Sequence, residues 1–220
     1  MIAIIDYDAG NLPSVVRALA FLGFQCMITH DVGVIEKADR IIFPGVGAAG
    51  SAMASLKRRN LDLAIKNAFL KGTPILGICI GMQAMMDYSE ENDTDCIGIV
   101  KGKVSAFSTD LRSGEGRPLK IPHMGWNGLR ILQPHPVLSG IRDTDEFYFV
   151  HGFYPDPEDP SCVIGVTEYG KTFASVISMG NLIATQFHPE KSGRPGLSIL
   201  KQFCLWEPGY SETEKRKNRC

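Results

Sequence analysis

The chain has no apolar run approaching the ~20 residues a membrane-spanning helix needs. Its apolar start, Met1-Ile-Ala-Ile-Ile, meets Asp6 after five residues and has no basic flank, so it reads as a strand and not as a leader. An excess of either charge is also missing: 23 Lys and Arg face 24 Asp and Glu, for a net charge of −1. That balance argues against nucleic acid or an anionic membrane as a partner. Paired cysteines are absent too. The six cysteines are scattered, with no C-x-x-C and no zinc-type spacing, so neither a disulfide framework nor a metal site is expected. Without a secretory signal, a reducing cytoplasmic location is expected. There is no internal repeat and no convincing linker. What remains is an ordinary globular composition, 44% hydrophobic and 21% charged over 220 residues, enough for one well-cored domain.

The first half alternates strand and helix signals. Strands are expected at Ile2–Ile5, Phe24–Thr29, Arg40–Phe43 and Ile75–Ile78. Helices are expected from Asn11, as cap, to Phe21, around Val34–Lys37, and as one long element over Ser51–Lys71. Such β-α-β spacing implies a parallel sheet covered on both faces. From about Gly98 strand follows strand: Ile99–Phe107, Lys120–Ile121, Phe147–Tyr154, Val163–Glu168, Ala174–Met179 and Leu182–Phe187. An amphipathic helix over Gly196–Trp206 closes the domain, and the polar tail Ser211–Cys220 has no apolar face to bury. The reading is a single mixed α/β domain over residues 1–207, with a polar tail over 208–220.

Three segments carry chemistry. Gly77-Ile78-Cys79-Ile80-Gly81 sets a cysteine between a strand signal and the helix formers Met82-Gln83-Ala84-Met85-Met86. Flanking glycines permit the sharp turn and close packing of a nucleophile elbow. Free N–H groups at a helix start favour the thiolate. A lone cysteine is more often buried and inert, so the elbow needs companions. Gln186-Phe187-His188-Pro189-Glu190 supplies an imidazole and a carboxylate two residues apart at a strand end, where both would point the same way. A surface histidine and glutamate in a loop is the plainer alternative. Arg40-Ile-Ile-Phe-Pro44-Gly45-Val46-Gly47-Ala48-Ala49-Gly50 contains G-x-G-x-x-G. A dinucleotide site is disfavoured, because the motif follows the third strand signal. Moreover, Leu70-Lys71-Gly72 stands where an acid should meet a ribose. A loop whose N–H groups face an oxyanion fits better, with a simple tight turn as the alternative.

With these segments in place, the chain resembles the class I (triad) glutamine amidotransferases from Met1 to about Trp206. The nucleophile motif is Gly77-Ile-Cys-Ile-Gly-Met-Gln83, and the His/Glu motif is Gln186-Phe-His-Pro-Glu-Lys-Ser192. Gly10-Asn11-Leu12 with Ser14-Val15, Pro44-Gly-Val-Gly47, Pro122-His-Met-Gly-Trp-Asn127 and Tyr148-Phe-Val-His151 are similar to the branch that works with a (β/α)8-barrel cyclase in histidine biosynthesis. The resemblance implies a flavodoxin-like, mostly parallel sheet flanked by helices, with extra antiparallel strands in the second half. It implies Cys79 as nucleophile, His188 as general acid/base and Glu190 as its orienter, with Gly47 and Ile80 at the oxyanion hole. Gln83, Gly45, Gly152 and Phe153 would seat glutamine. Trp126, Asn127, Tyr148 and Lys191 would face the cyclase/synthase subunit of a heterodimer. No cofactor is implied.

The sequence departs from the usual pattern at Asp8 (commonly glycine), Ala49 (commonly aromatic), Ile80 (commonly leucine) and Gly152 (commonly serine or threonine). No triad member is lost. Two rival readings are a glutaminase serving another acceptor, such as an amidino-sugar of a surface polysaccharide, and a stand-alone cysteine hydrolase of similar fold.

Overall fold

Isoleucine dominates the early strands at Ile2–Ile5, Arg40–Gly45 and Ile75–Cys79 because they are buried on both faces, the expected state of a parallel sheet covered by helices. The computed structural model describes residues 1–8 and 12–209. The expected cap at Asn11 and most of the polar tail lie outside the described residues. In the first half β1 (Ile2–Ile5), α1 (Leu12–Phe21), β2 (Cys26–Thr29), α2 (Val32–Ile35), β3 (Arg40–Gly45), α3 (Ala49–Arg58), α4 (Leu61–Leu70), β4 (Ile75–Cys79) and α5 (Ile80–Gln83) follow one another. The second half holds β5 (Met86–Ser89), β6 (Thr94–Asp95), β7 (Val100–Ala106), β8 (His123–Gly128), β9 (Arg130–Ile131), β10 (Glu146–His151) and β11 (Phe153–Pro157). β12 (Val163–Glu168), β13 (Thr172–Met179), β14 (Leu182–Thr185) and α6 (Gly193–Leu205) complete it.

The main sheet runs β2-β1-β3-β4-β14-β13-β12-β9. β2, β1, β3, β4 and β14 pair in parallel, and β14 onward pairs antiparallel, so the sheet is mixed. Its period-two alternation feeds two cores. Ala3, Ile5, Ile41 and Phe43 pack with α3 and α4, whereas Ile2, Ile4, Ile42 and Ile78 pack with α1 and α6. A four-stranded sheet, β11-β7-β5-β6, and the two-stranded ribbon β10-β8 flank one end. No helix among the described residues is long and apolar enough to cross a membrane.

Several expected boundaries differ. The long helix over 51–71 is two helices, broken where Asn60 takes a left-handed φ of 57°; apolar periodicity alone does not register such a break. Helix after the elbow lasts only through Gln83, and Met86 already belongs to a strand. The expected strand at 147–154 is two strands interrupted at Gly152. Lys120–Ile121 forms no strand; the strand begins beyond it, at His123. α6 starts three residues earlier than expected, at Gly193.

Candidate active site

β4 and β3 end side by side, with Gly45 paired to Cys79, so both candidate loops leave the sheet at its carboxyl edge. That edge is where open α/β sheets place ligands. Cys79 stands between β4 and α5 with φ 54° and ψ −106°, a conformation a side-chain-bearing residue rarely adopts. Strain of this kind costs about 1–3 kcal/mol and persists only when the surroundings enforce it. Here packing enforces it. A Cβ on Gly81 would lie 1.8 Å from the Phe43 carbonyl oxygen, and one on Gly77 would lie 2.8 Å from the Gly81 oxygen. A Cβ on Gly45 would strike the Tyr7 hydroxyl and approach Ile80 to 2.9 Å. Gly45 therefore supports the elbow from behind and does not line the cavity.

The cavity, about 290 Å³, is lined by Val46, Gly47, Cys79, Ile80, Gln83 and Glu91 on one side. Tyr148, Val150, His151, Gly152, Phe153 and Lys191 line the other. Larger cavities elsewhere, such as one of about 550 Å³ beside Asn127 and Glu168, hold no nucleophile. Gly47 has φ 102° in the loop facing the cysteine. A Cβ on Gly152 would meet only Ile121, at 3.7 Å, so the family's usual hydroxyl side chain has room there.

His188 and Glu190 flank Pro189 in a single 3₁₀ turn, Pro189–Lys191, three residues past β14. Their alignment thus comes from the turn and not from strand alternation. His188 Nδ1 lies 2.8 Å from Glu190 Oε1, both side chains being about 2% exposed. The carboxylate can only accept, so Nδ1 carries the proton. Nε2 has no satisfactory hydrogen-bond partner and sits beside the Cys79 sulfur. Burial disfavours the imidazolium, but hydrogen bonding and charge from Cys79 and Glu190 outweigh it and raise the His188 pKa to about 10. The imidazole is thus held protonated at neutral pH beside the Cys79 sulfur. The backbone secures the turn: His188 N–H donates to the Tyr148 carbonyl at 2.9 Å, and the Ser192 hydroxyl accepts from Tyr148 N–H at 3.0 Å.

Gln186 Nε2 donates toward Cys79 Sγ at 3.6 Å, and Gln83 Nε2 donates to Gln186 Oε1 and to the Phe153 carbonyl, each at 3.0 Å. Gln83 Oε1 is buried without a hydrogen-bond partner, and Gln83 is among the residues that line the cavity. Glu91 is a cavity residue that sequence reasoning missed. Its Oε2 accepts from Ala49 N–H at 2.8 Å, a link across 42 residues that no local motif announces. Asp8, another departure, has φ 68°, where glycine is at ease, and its carboxylate pairs with Arg58 and Arg59.

The residues expected to face a partner cluster on the β10-β8 ribbon and beside it. Trp126 is 54% exposed and Met124 63% exposed, an apolar display on the outer face of β8. Trp126 meets Tyr148 edge-on at 6.1 Å, and Lys191 Nζ lies 5.9 Å from the Tyr148 ring centre. Tyr148 and Lys191 also line the cavity, so this face is continuous with the site. Asn127 turns inward and donates to the Glu168 carbonyl at 2.9 Å.

A nucleophile elbow, a His–Glu turn and a facing glycine loop on one sheet edge define a cysteine-dependent amide hydrolase, and the family model for glutamine amidotransferase class-I matches residues 3–206. The chain belongs to that family and is a glutamine-hydrolysing enzyme. It is 50% identical over 203 residues to the imidazole glycerol phosphate synthase subunit HisH of Nitratidesulfovibrio vulgaris (strain Miyazaki F), covering 92% of this chain and 95% of that protein. It is 45% identical to the HisH subunit of Neisseria gonorrhoeae, covering 93% and 99%. Among solved structures, PurLQS from Thermotoga maritima superposes with a TM-score of 0.71 at 18% identity, covering 93% of this chain and 97% of that one. The glutaminase domain of Trypanosoma brucei CTPS gives 0.63 at 17% identity, covering 96% and 95%. At that identity the likeness shows the fold.

Proposed function

We propose that this chain is the glutaminase subunit of an imidazole glycerol phosphate synthase, hydrolysing glutamine and passing the ammonia to a (β/α)8-barrel cyclase subunit in the cytoplasm. The observation that carries the chemistry is the strained Cys79 lining a cavity, beside a His188 Nε2 with nothing else to bond. Near-full-length identity of 50% to a HisH subunit supports the pathway. Residues 1–207 are read as the catalytic domain.

In the proposed reaction, the Cys79 thiolate attacks the side-chain carbonyl carbon of glutamine. The oxyanion takes N–H groups from Ile80 and from the loop at Gly47. His188 gives its Nε2 proton to the leaving nitrogen as the C–N bond breaks, which yields ammonia and a γ-glutamyl thioester. Neutral His188 then takes a proton from water as the hydroxyl adds to the thioester, and glutamate leaves with the thiolate restored. Glu190 holds the imidazole through both proton transfers. Of the charged side chains lining the cavity, the Glu91 carboxylate can receive the α-ammonium of glutamine, and the Lys191 ammonium its carboxylate. Free ammonia near neutral pH is mostly protonated and then no longer nucleophilic, and direct delivery avoids that loss. The exposed Trp126–Tyr148 patch, continuous with the cavity, supports docking of the barrel there.

The test is synthesis by the reconstituted complex. Cys79→Ala should abolish glutamine-dependent product formation and leave synthesis from ammonium salts intact. Persisting glutamine dependence would remove Cys79 from the mechanism.

A further inference from the structure

Two buried histidines lie outside the triad and face each other across the β10-β8 ribbon, where His151 is paired with His123. His123 Nδ1 is 3.0 Å from His151 Nε2, and His151 Nδ1 is 2.8 Å from the Phe153 carbonyl oxygen. Because a carbonyl only accepts, His151 carries its proton on Nδ1. When that ring is neutral, its Nε2 must accept, so His123 must donate from Nδ1 and accept at Nε2. Asn127 Nδ2 supplies a donor to that last nitrogen at a long 3.4 Å. Burial lowers the pKa of His123 to about 4 and of His151 to about 3, so both rings are neutral at pH 7. Tyr169 stacks on His123 at 3.9 Å between ring centres, with Phe149 at 4.9 Å, and holds its orientation.

The chain of bonds does not stop at Phe153. Its carbonyl also accepts from Gln83, Gln83 bonds Gln186, and Gln186 donates toward Cys79 Sγ. A continuous hydrogen-bonded path therefore runs from the strand that displays Trp126 to the nucleophile, with donor polarity reversing at the Phe153 carbonyl, which accepts from both sides. We propose that His123 and His151 are positioning residues for glutamine hydrolysis, carrying the geometry of β8 through the Phe153 carbonyl to Gln83, Gln186 and Cys79. Neither ring acts on substrate. A shift of β8 on docking moves His123, which resets the Phe153 carbonyl and, through it, the glutamine seat and the donor on sulfur. The inference rests on the glutaminase reading and on docking at β8.

The experiment has two arms. In the free chain, long-range 1H–15N correlation of labelled histidines at pH 7.5 should show His123 and His151 both as neutral Nδ1–H tautomers; an Nε2–H tautomer or an imidazolium at either overturns the path. In the complex with its barrel subunit, His123→Phe keeps the stacking and removes the donor. Glutamine-dependent kcat should fall about 10-fold, with ammonium-dependent synthesis unchanged. His123→Asn places an amide N–H where Nδ1 stood, and should hold kcat within about 3-fold of wild type. A packing role predicts the reverse order, because Asn loses the stacking that Phe retains. Asn below Phe, or Phe equal to wild type while Cys79→Ala is dead, overturns the relay and leaves the glutaminase reading standing. Glutamine-dependent activity in Cys79→Ala would instead overturn that reading. Should His123→Phe not fold, the tautomers and His123→Asn decide.

Discussion

Glu190 touches no substrate in the proposed reaction, yet it sets the tautomer and charge of His188 through one bond of 2.8 Å. Glu190→Gln removes the negative charge and presents either an amide N–H or a weak acceptor to Nδ1. Glutamine-dependent kcat should fall by about 10²–10⁴, the range in which a misoriented or wrongly protonated imidazole costs a triad enzyme. The pH profile should move as well. The Glu190 carboxylate is one of the groups that raise the His188 pKa, and the imidazolium is the form that protonates the leaving nitrogen. Without that carboxylate, the alkaline limb of glutamate release should shift to lower pH. An unmoved limb would mean that Glu190 does not govern the acid. At this scale much of the site was legible in sequence, because the elbow and the His-Pro-Glu turn are each contained in a few consecutive residues. Glu91 and the Gln186 bond to Cys79 were not. They join positions 42 and 107 apart, where sequence offers no spacing rule.

Elements hold the elbow by contact between backbones. α5 starts so close under β3 that any side chain at Gly81 must displace the Phe43 carbonyl and, with it, the strand that carries the Gly47 loop. Gly81→Ala should therefore cost about 3 kcal/mol of stability, at the upper end for overpacking. It should also lower kcat more than it raises KM, as both oxyanion donors move. Urea unfolding with steady-state kinetics on the same sample checks this; a stable but inactive variant would place the strain in the site alone. The β10-β8 ribbon makes a different demand. Trp126→Ala removes most of the exposed aromatic display of β8 and should weaken the complex about 10-fold or more, as for an interface anchor. Sedimentation or titration calorimetry measures that loss, and unchanged affinity would move docking elsewhere. In the β-α-β half, β1, β3 and β4 could be read from apolar runs because those strands are buried on both faces. β8 could not, since His123-Met-Gly-Trp-Asn-Gly128 has two glycines and its apolar side chains point outward. The break at Asn60 escaped for a related reason: both helices continue one apolar face across it.

For the molecule as a whole, the arrangement that orders the site also sets its acid stability. Three histidines are held as neutral rings, His123 and His151 buried and His135 half-buried, with pKa values lowered by desolvation to about 4 for His123, about 4 for His135 and about 3 for His151. In the unfolded chain each takes up a proton near 6.5. Between pH 6.5 and 4 the unfolded state therefore binds more protons than the folded state, and stability must fall as pH falls through that window. Each ring contributes up to about 1.4 kcal/mol per pH unit. His188, with its pKa raised to about 10, acts in the opposite sense above about pH 6.5 and offsets part of the loss. Acidification from pH 7.5 to 5 should therefore remove roughly 3–5 kcal/mol. Paired carboxylates such as Asp145 and Glu90, whose pKa values are lowered by Arg142 and Lys103, stay ionised at pH 5 and add nothing to this loss. His135 offers the cleanest control. Its Nδ1 accepts from Val137 N–H at 3.2 Å as the cap of a 3₁₀ turn, far from the triad. His135→Asn keeps a capping acceptor and cannot be protonated in this range. Urea midpoints measured at pH 7.5 and 5 should then differ by about one third less than in wild type, with glutamine turnover at pH 7.5 unchanged. Equal pH dependence in the two proteins would show that His135 is protonated, or exposed, in the folded state.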